Sequence, residues 1–215
     1  MLKIKSFVFN PFMENTYLLY DEVSKEGVVI DPGCYEDFEK REIHDFIMEE
    51  EIKVTKLINT HCHIDHVFGN YFIKETFNVP FYMHEEDLPT LRSVPTYAPN
   101  YGFSHYHGAE PDEFLGEGDR IKIGENNLDI LFVPGHAPGH IALVCHEQRF
   151  CIGGDVLFQG SVGRTDLPGG DFQTLIQSIH HKLFVLDEDY VVYPGHGGTT
   201  TIGEEMMSNP FCALK

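Results

Sequence analysis

A chain of 215 residues with 34 acidic against 15 basic side chains, net −19, has the wrong charge to attract nucleic acid or an anionic membrane, which need clustered Lys and Arg. Apolar residues at 42%, aromatics at 13% and charged residues at 23% supply a sizeable core and exclude a disordered chain, and the length fits one β-rich domain. The five cysteines (Cys34, Cys62, Cys145, Cys151, Cys212) are scattered and odd in number, unlike a secreted disulfide framework, and no run approaches 18 apolar residues. A reducing cytoplasm is the expected compartment.

The N-terminal MLKIKSFVFN alternates Leu2, Ile4, Phe7 and Phe9 with polar residues, which predicts a strand over 2–9 and not a signal peptide. NTYLLYD and GVVIDPG are the next strands, and Asp31-Pro32-Gly33 supplies a turn. In YEDFEKREIHDFIMEE, Tyr35, Phe38, Ile43, Phe46 and Ile47 fall roughly on one stripe, predicting an amphipathic helix over 35–50. KVTKLINT alternates as a strand and runs into the cluster THCHIDH. HVFGNYFIKETF then reads as a short helix and VPFYMH as a strand, completing a β-α-β unit. Residues 86–118 show little periodicity and many Pro, Tyr, Gly and His, so they read as a long surface loop, a lid over a site. Strand character returns in RIKIG, LDILFVPG, HIALVCH and RFCIGGD. DFQTLIQSIHHKLF has helical spacing through Phe172, Leu175, Ile176, Ile179 and Leu183, and YVVYPGHG closes the pattern.

Metal ligation is the chemistry that THCHIDH suits. Residues two apart in an extended segment face the same way, so His61 and His63 converge on one ion while Cys62 points elsewhere, and the following turn brings Asp65 and His66 to a second. Imidazole and carboxylate suit Zn, Fe or Mn. Two sites need more ligands, and three later strand ends offer them: PGHAPGH with His136 and His140, GGDVLF with Asp155, and YPGHGG with His196. Spacing alone leaves His136 and His140 both open. His105 and His107 form another H-x-H pair without a partner motif and read as exposed loop residues, while His84, His180 and His181 read as ordinary surface or helix residues. Arg164 and Asp166, in GRTD, read as mutual partners near the site.

The complete H-x-H-x-D-H pattern, followed in order by PGHAPGH, GGDVLF and YPGHG, resembles the metallo-β-lactamase superfamily, and within it the glyoxalase II (hydroxyacylglutathione hydrolase) branch. The resemblance runs from ENTYLLYD to NPF. It implies an α+β fold, a single-domain αββα sandwich of two mixed sheets with helices outside. It further implies His61, His63 and His136 on one metal, Asp65, His66 and His196 on the other, and Asp155 bridging them, and it is the resemblance that selects His136 over His140. The cofactors implied are two divalent ions, zinc first, with iron or manganese as alternatives.

The activity implied is hydrolysis of a small-molecule thioester by a hydroxide shared between the metals, with Asp65 and Asp155 as the catalytic carboxylates. A thiol with a pKa of about 8–9 leaves without a dedicated general acid. Glyoxalase II of animals and plants carries a C-terminal helical domain whose basic residues grip glutathione; this chain ends at NPFCALK and resembles the short, stand-alone members. Two other readings remain. One is a persulfide dioxygenase with a single iron on His61, His136 and Asp155. The other is a metal-bearing binding or sensor protein without turnover. A β-lactamase proper is disfavoured by His66 and by the absence of a secretion signal, and the nuclease branches by the lack of a basic stripe.

Overall fold

A computed structural model describes residues 1–214. Strands β1 (Leu2–Phe9), β2 (Glu14–Asp21) and β3 (Glu26–Ile30) form an antiparallel meander, and helix α1 (Asp37–Glu49) crosses to β4 (Lys53–Ile58), parallel to β3. Short helices α2 (Ile64–Val67) and α3 (Asn70–Phe77) lead to β5 (Phe81–Met83), parallel to β4, and α4 (Leu88–Tyr97) leads to edge strand β6 (Glu113–Phe114). These six strands make the first sheet, in the order β1-β2-β3-β4-β5-β6.

The second half contains β7 (Arg120–Ile123), β8 (Asn126–Phe132), β9 (Ile141–Cys145) and β10 (Phe150–Gly154), then a small hairpin of β11 (Leu157–Phe158) and β12 (Ser161–Val162). Helix α5 (Phe172–Ser178) continues into a π-helical turn, Ile179–Leu183, before β13 (Val191–Pro194), β14 (Thr200–Thr201) and α6 (Ile202–Ser208). The second sheet runs β14-β13-β10-β9-β8-β7, with β10 and β13 parallel and the other neighbours antiparallel.

Three apolar layers show why the strands are apolar on both faces. Leu19, Val28, Ile30 and Ile58 of the first sheet meet Leu128, Ile130, Ile141, Leu143 and Ile152 of the second. On the outer face of the first sheet Leu18, Val29 and Leu57 pack with Ile43, Ile47, Ile73, Leu91 and Val94 from the helices. On the far side Ala142, Val144, Cys151 and Val192 pack with Leu175, Ile179, Leu183 and Ile202. This is the αββα sandwich of the α+β class expected from the sequence.

The parallel pairings decide where function sits. The C-terminal ends of β3, β4 and β5 share one edge of the first sheet, and those of β10 and β13 share one edge of the second. Because β9 runs antiparallel to β10, the chain entering β9 arrives at that edge too. THCHIDH, PGHAPGH, Asp155 and YPGHG therefore all leave the core at one rim.

Several expectations are corrected. The 86–118 segment is not one loop: it holds the 3-10 turn Glu85–Asp87, α4, the 3-10 turn Ala98–Tyr101 and β6. Pro89 and Pro95 hid this helix. Pro89 lies in the first turn, where a missing N–H costs nothing, and Leu91, Val94 and Ala98 recur on one buried face. In α1, Phe38 is 61% exposed, because Glu39 occupies the buried position four residues before Ile43. Glu39 accepts the backbone N–H of Asn10, Tyr35 and Glu36, fixing the start of the helix. Phe172 is likewise exposed while Leu175, Ile179 and Leu183 are buried. The helix expected after the histidine cluster is split at Gly69, whose backbone N–H donates to Pro32 O at 2.6 Å in a contact with no room for a Cβ. Strand β14 and helix α6 were not anticipated. Thr201 caps α6 by accepting the Glu204 N–H at 3.2 Å.

Candidate metal centre

Beyond β4 the chain bends at Thr60, reaches an extended His63 and then turns into α2, which carries Asp65 and His66. The alternation works as the spacing predicts. His61 and His63 lie with ring centroids 4.8 Å apart, and Cys62 is buried on the other side with Sγ 3.7 Å from Met83 Sδ. All five cysteines are buried free thiols.

His61, His63 and His136 come together as one trio, and Asp65, His66 and His196 as a second. In the first, His136 Nε2 is 2.8 Å from His63 Nδ1 and 3.2 Å from His61 Nε2. In the second, Asp65 Oδ2 is 3.1 Å from His196 Nε2 and 3.7 Å from His66 Nε2. Asp155 stands between them, Oδ1 being 3.5 Å from His66 Nε2, and Oδ2 3.5 Å from His196 Nε2 and 3.6 Å from His136 Nε2.

Four of the five rings are held on their far side by an oxygen. His136 Nδ1 donates to Arg164 O at 2.7 Å, His196 Nδ1 to Phe12 O at 3.1 Å and His66 Nδ1 to Asp31 Oδ2 at 3.2 Å. Thr60 gives its hydroxyl proton to Asp31 Oδ2, so its oxygen, 3.2 Å away, accepts from His61 Nδ1. The Nε2 atoms of these four rings are thereby left facing the two clusters. His66 Nε2 and Asp155 Oδ1 are buried without hydrogen-bond partners. Ring nitrogens and carboxylate oxygens at these separations fit divalent cations, and far nitrogens held by oxygens are the usual outer support of metal-binding histidines.

Electrostatics separates the clusters. Burial, reinforced by neighbouring imidazoles, pushes His61 well below the ordinary histidine pKa and His63 down to about 3; burial also lowers His136, against the pull of Asp155. The first trio is neutral at pH 7. Burial opposes charge on His66 too, but Asp65 and Asp155 overcome it and raise the pKa well above the usual range; His196 is raised against burial by its hydrogen bond to Asp65. Asp155 and Asp65 are held below the usual carboxylate range, burial being outweighed first by His66. The second cluster is an acidic pocket that demands positive charge, from protons or from a cation.

Two buried carboxylates beside His66 were missed in the sequence. Asp31, read only as a turn residue, sits at φ +49° after β3 and accepts the Thr60 N–H at 2.7 Å as well as His66 Nδ1. Its grouping with His61 and His66 lies on the Nδ1 edge of His66, where its oxygens are already taken by donors. Glu14 is fully buried, 3.8 Å from His66 Nδ1, accepts the Thr16 hydroxyl at 2.8 Å, and has its pKa pushed well up by burial. A buried acid at a strand end carries no periodic signal.

The remaining histidines separate as follows. His140 Nε2 accepts the backbone N–H of Asp155 at 3.0 Å, and the ring stacks on His61 at 4.7 Å and 15°. It supports ligand positions from behind. His105 and His107 are exposed and outside both trios, His107 lying against Tyr71. His84 stacks on Phe132 and accepts the Glu86 N–H, and His180 donates to Cys212 O. Arg164 and Asp166 do pair, through two hydrogen bonds of 2.7 and 2.8 Å, both side chains being exposed; the link from Arg164 to the clusters is its backbone carbonyl.

Residues 9–196 match the family profile of the metallo-beta-lactamase superfamily. The chain belongs to that superfamily, whose fold binds divalent metals through His/Asp clusters. Among its relatives it is similar to hydroxyacylglutathione hydrolase GloC of Haemophilus influenzae, 38% identical over 100% of both chains. It is also similar to the mitochondrial persulfide dioxygenase ETHE1 of Mus musculus, 35% identical over 93% of this chain and 71% of that one. Among solved structures, the B3 metallo-beta-lactamase BLEG-1 superposes with a TM-score of 0.88 at 33% identity, covering 99% of this chain and 100% of the other. TTHA1623 in a di-iron-bound form superposes at 0.85 with 34% identity, covering 96% and 99%.

Proposed function

We propose that this protein is a two-metal hydrolase that cleaves a small thioester. The observation that carries the reading is the set of four rings whose Nδ1 edges are held by oxygens and whose Nε2 atoms face inward, with the Asp155 carboxylate between the two trios. His61, His63 and His136 would hold one ion, Asp65, His66 and His196 the other, and Asp155 would reach both. When bound, the cations supply Lewis acidity, generating a nucleophile from water near neutral pH and polarising the carbonyl.

The chain's own contribution is placement and charge. Asp65 and Asp155, anionic at neutral pH, accept hydrogen bonds from the attacking water at their Oδ atoms and orient it. A thiolate leaving group asks no proton of the protein. Thioester chemistry is further supported by the full-length similarity to GloC. Zinc is the first expectation, with iron or manganese as alternatives; TTHA1623, 34% identical, is known with two irons. The expected partner is a small thioester and the expected compartment the cytoplasm; among the described residues no helix is long and apolar enough to cross a membrane.

The similarity to ETHE1 favours a second reading, a persulfide dioxygenase with one iron on His61, His136 and Asp155. One experiment separates them. Metal content is counted on metal-replete protein, which is then given acyl-glutathione thioesters, generic thioesters, a glutathione persulfide with oxygen electrode, and a chromogenic β-lactam, the last because of BLEG-1. Two ions with thiol release are expected. One iron with oxygen uptake favours the dioxygenase, and no thiol release from fully loaded protein rejects the hydrolase reading.

A further inference from the structure

Asp87 lies in the 86–118 segment, far along the chain from every cluster residue, yet it is fully buried behind the first trio. Its Oδ2 accepts the backbone N–H of Cys62, the residue between His61 and His63. Its Oδ1 accepts the backbone N–H of Gly139 at 3.3 Å and the hydroxyl of Thr90 at 3.0 Å. Gly139 belongs to PGHAPGH, between His136 and His140. One carboxylate thus joins the two loops that carry all three histidines of the first trio, and joins both to the first turn of α4.

The approach is built into the sequence on both sides. A Cβ on residue 139 would run into the Asp87 backbone and lie 2.6 Å from its Cβ, so only glycine admits the contact. Hydrogen bonds from N–H groups to a carboxylate are roughly twice as strong as those to a neutral acceptor, so the link between the loops is stiff. With both oxygens committed to these donors, the carboxylate acts through the loops and not as a ligand. Asp31 has the corresponding place behind His66 of the second trio.

We propose that Asp87 is a positioning residue for the first metal cluster, setting the separation of the His61–His63 segment and the His136 loop so that three imidazole nitrogens meet on one cation. The inference rests on the two-cluster reading above.

The test is stepwise binding of Zn²⁺ to chelator-stripped protein, read with a competing chromophoric chelator. H63A and H196A assign each step to its cluster. In D87N an amide N–H replaces an acceptor opposite a backbone donor. The step lost in H63A is expected to weaken by about 10–100-fold, as for outer partners of metal ligands, while the step lost in H196A stays within about three-fold. An unchanged first step, or equal weakening of both, overturns the proposal. Should D87N not accumulate as folded protein, T90A removes one donor from the same carboxylate. A smaller loss confined to the same step supports the proposal, and no loss there overturns it. Wild-type protein that takes up no metal sinks the two-cluster reading and the proposal together, whereas two ions bound equally by wild type and D87N sink the proposal alone.

Discussion

The Asp31 carboxylate lies 3.2 Å from Nδ1 of His66, on the edge of the ring opposite the nitrogen that faces Asp65 and Asp155. It holds the ring in one orientation while also accepting the Thr60 N–H. Asp31→Ala should therefore do two things. The orphaned Thr60 N–H costs about 1–3 kcal/mol of stability, read by denaturant unfolding. Metal content of the second cluster falls by about 10–100-fold in affinity. Wild-type affinity in the variant would show that the ring needs no such hold.

Asp155 faces His136 of the first trio and His66 and His196 of the second, and its proposed role is to bridge them. Asp155→Ala is expected to lower thioester turnover by more than about 100-fold, since even outer partners account for about 10–100-fold. Bound metal should fall below two ions per chain by elemental analysis. Unchanged turnover and metal content would reject the bridging role.

Gly195 tests the same carboxylate sterically. A Cβ there would collide with Asp155 Oδ1 and lie 2.7 Å from His66 Cε1. Gly195→Ala should displace both side chains and reduce metal uptake and turnover at least about ten-fold, with far-UV circular dichroism unchanged. An alanine variant with native metal content would mean that the pocket has slack at this point.

The metal-free protein should have a stability maximum near pH 6.5. His61, His63, His136 and His140 are depressed below their unfolded pKa by burial, so the unfolded chain takes up protons first and stability falls as pH drops below about 6.5, reaching down to about 3 for His63. His66 and His196 are raised, so their contribution is complete below about 6.5 and is lost as pH rises through their folded values. The lowered Asp65 and Asp155 lose theirs only below about pH 4. Urea unfolding of chelated protein from pH 4.5 to 9 gives the curve. A steady rise across that range would contradict the assignment of His66 and His196.

Metal itself should stabilise the fold. At free metal about 1,000 times Kd, binding adds about 4 kcal/mol, which for a chain of this size raises Tm by roughly 8–16 °C. Differential scanning calorimetry with and without chelator measures it. Binding at the second cluster should also release protons at pH 7, because His66 is protonated there before metal arrives, a release that calorimetry in buffers of different ionisation enthalpy counts.

The residues of the two trios and Asp155 could be named from the chain in two ways: H-x-H-x-D-H uses the two-residue repeat of an extended segment followed by a turn, which local spacing shows, while the later candidates sit beside glycines at the ends of apolar strands, where the family resemblance and not the spacing chose His136 over His140. The sandwich was legible for a related reason, since burial on both faces writes itself as continuous apolar runs such as HIALVCH and RFCIGGD. What the tertiary structure decided is everything that depends on contacts between distant segments. It set His136 beside His61 and His63 and His140 behind Asp155, made Asp31 a partner of His66, buried Glu14, and drew Asp87 under the Cys62 and Gly139 backbones. It also formed α4 where two prolines obscured the helical repeat. A carboxylate that accepts backbone N–H groups from remote loops leaves no periodicity in its own neighbourhood, because the donors that give it meaning are supplied by folding.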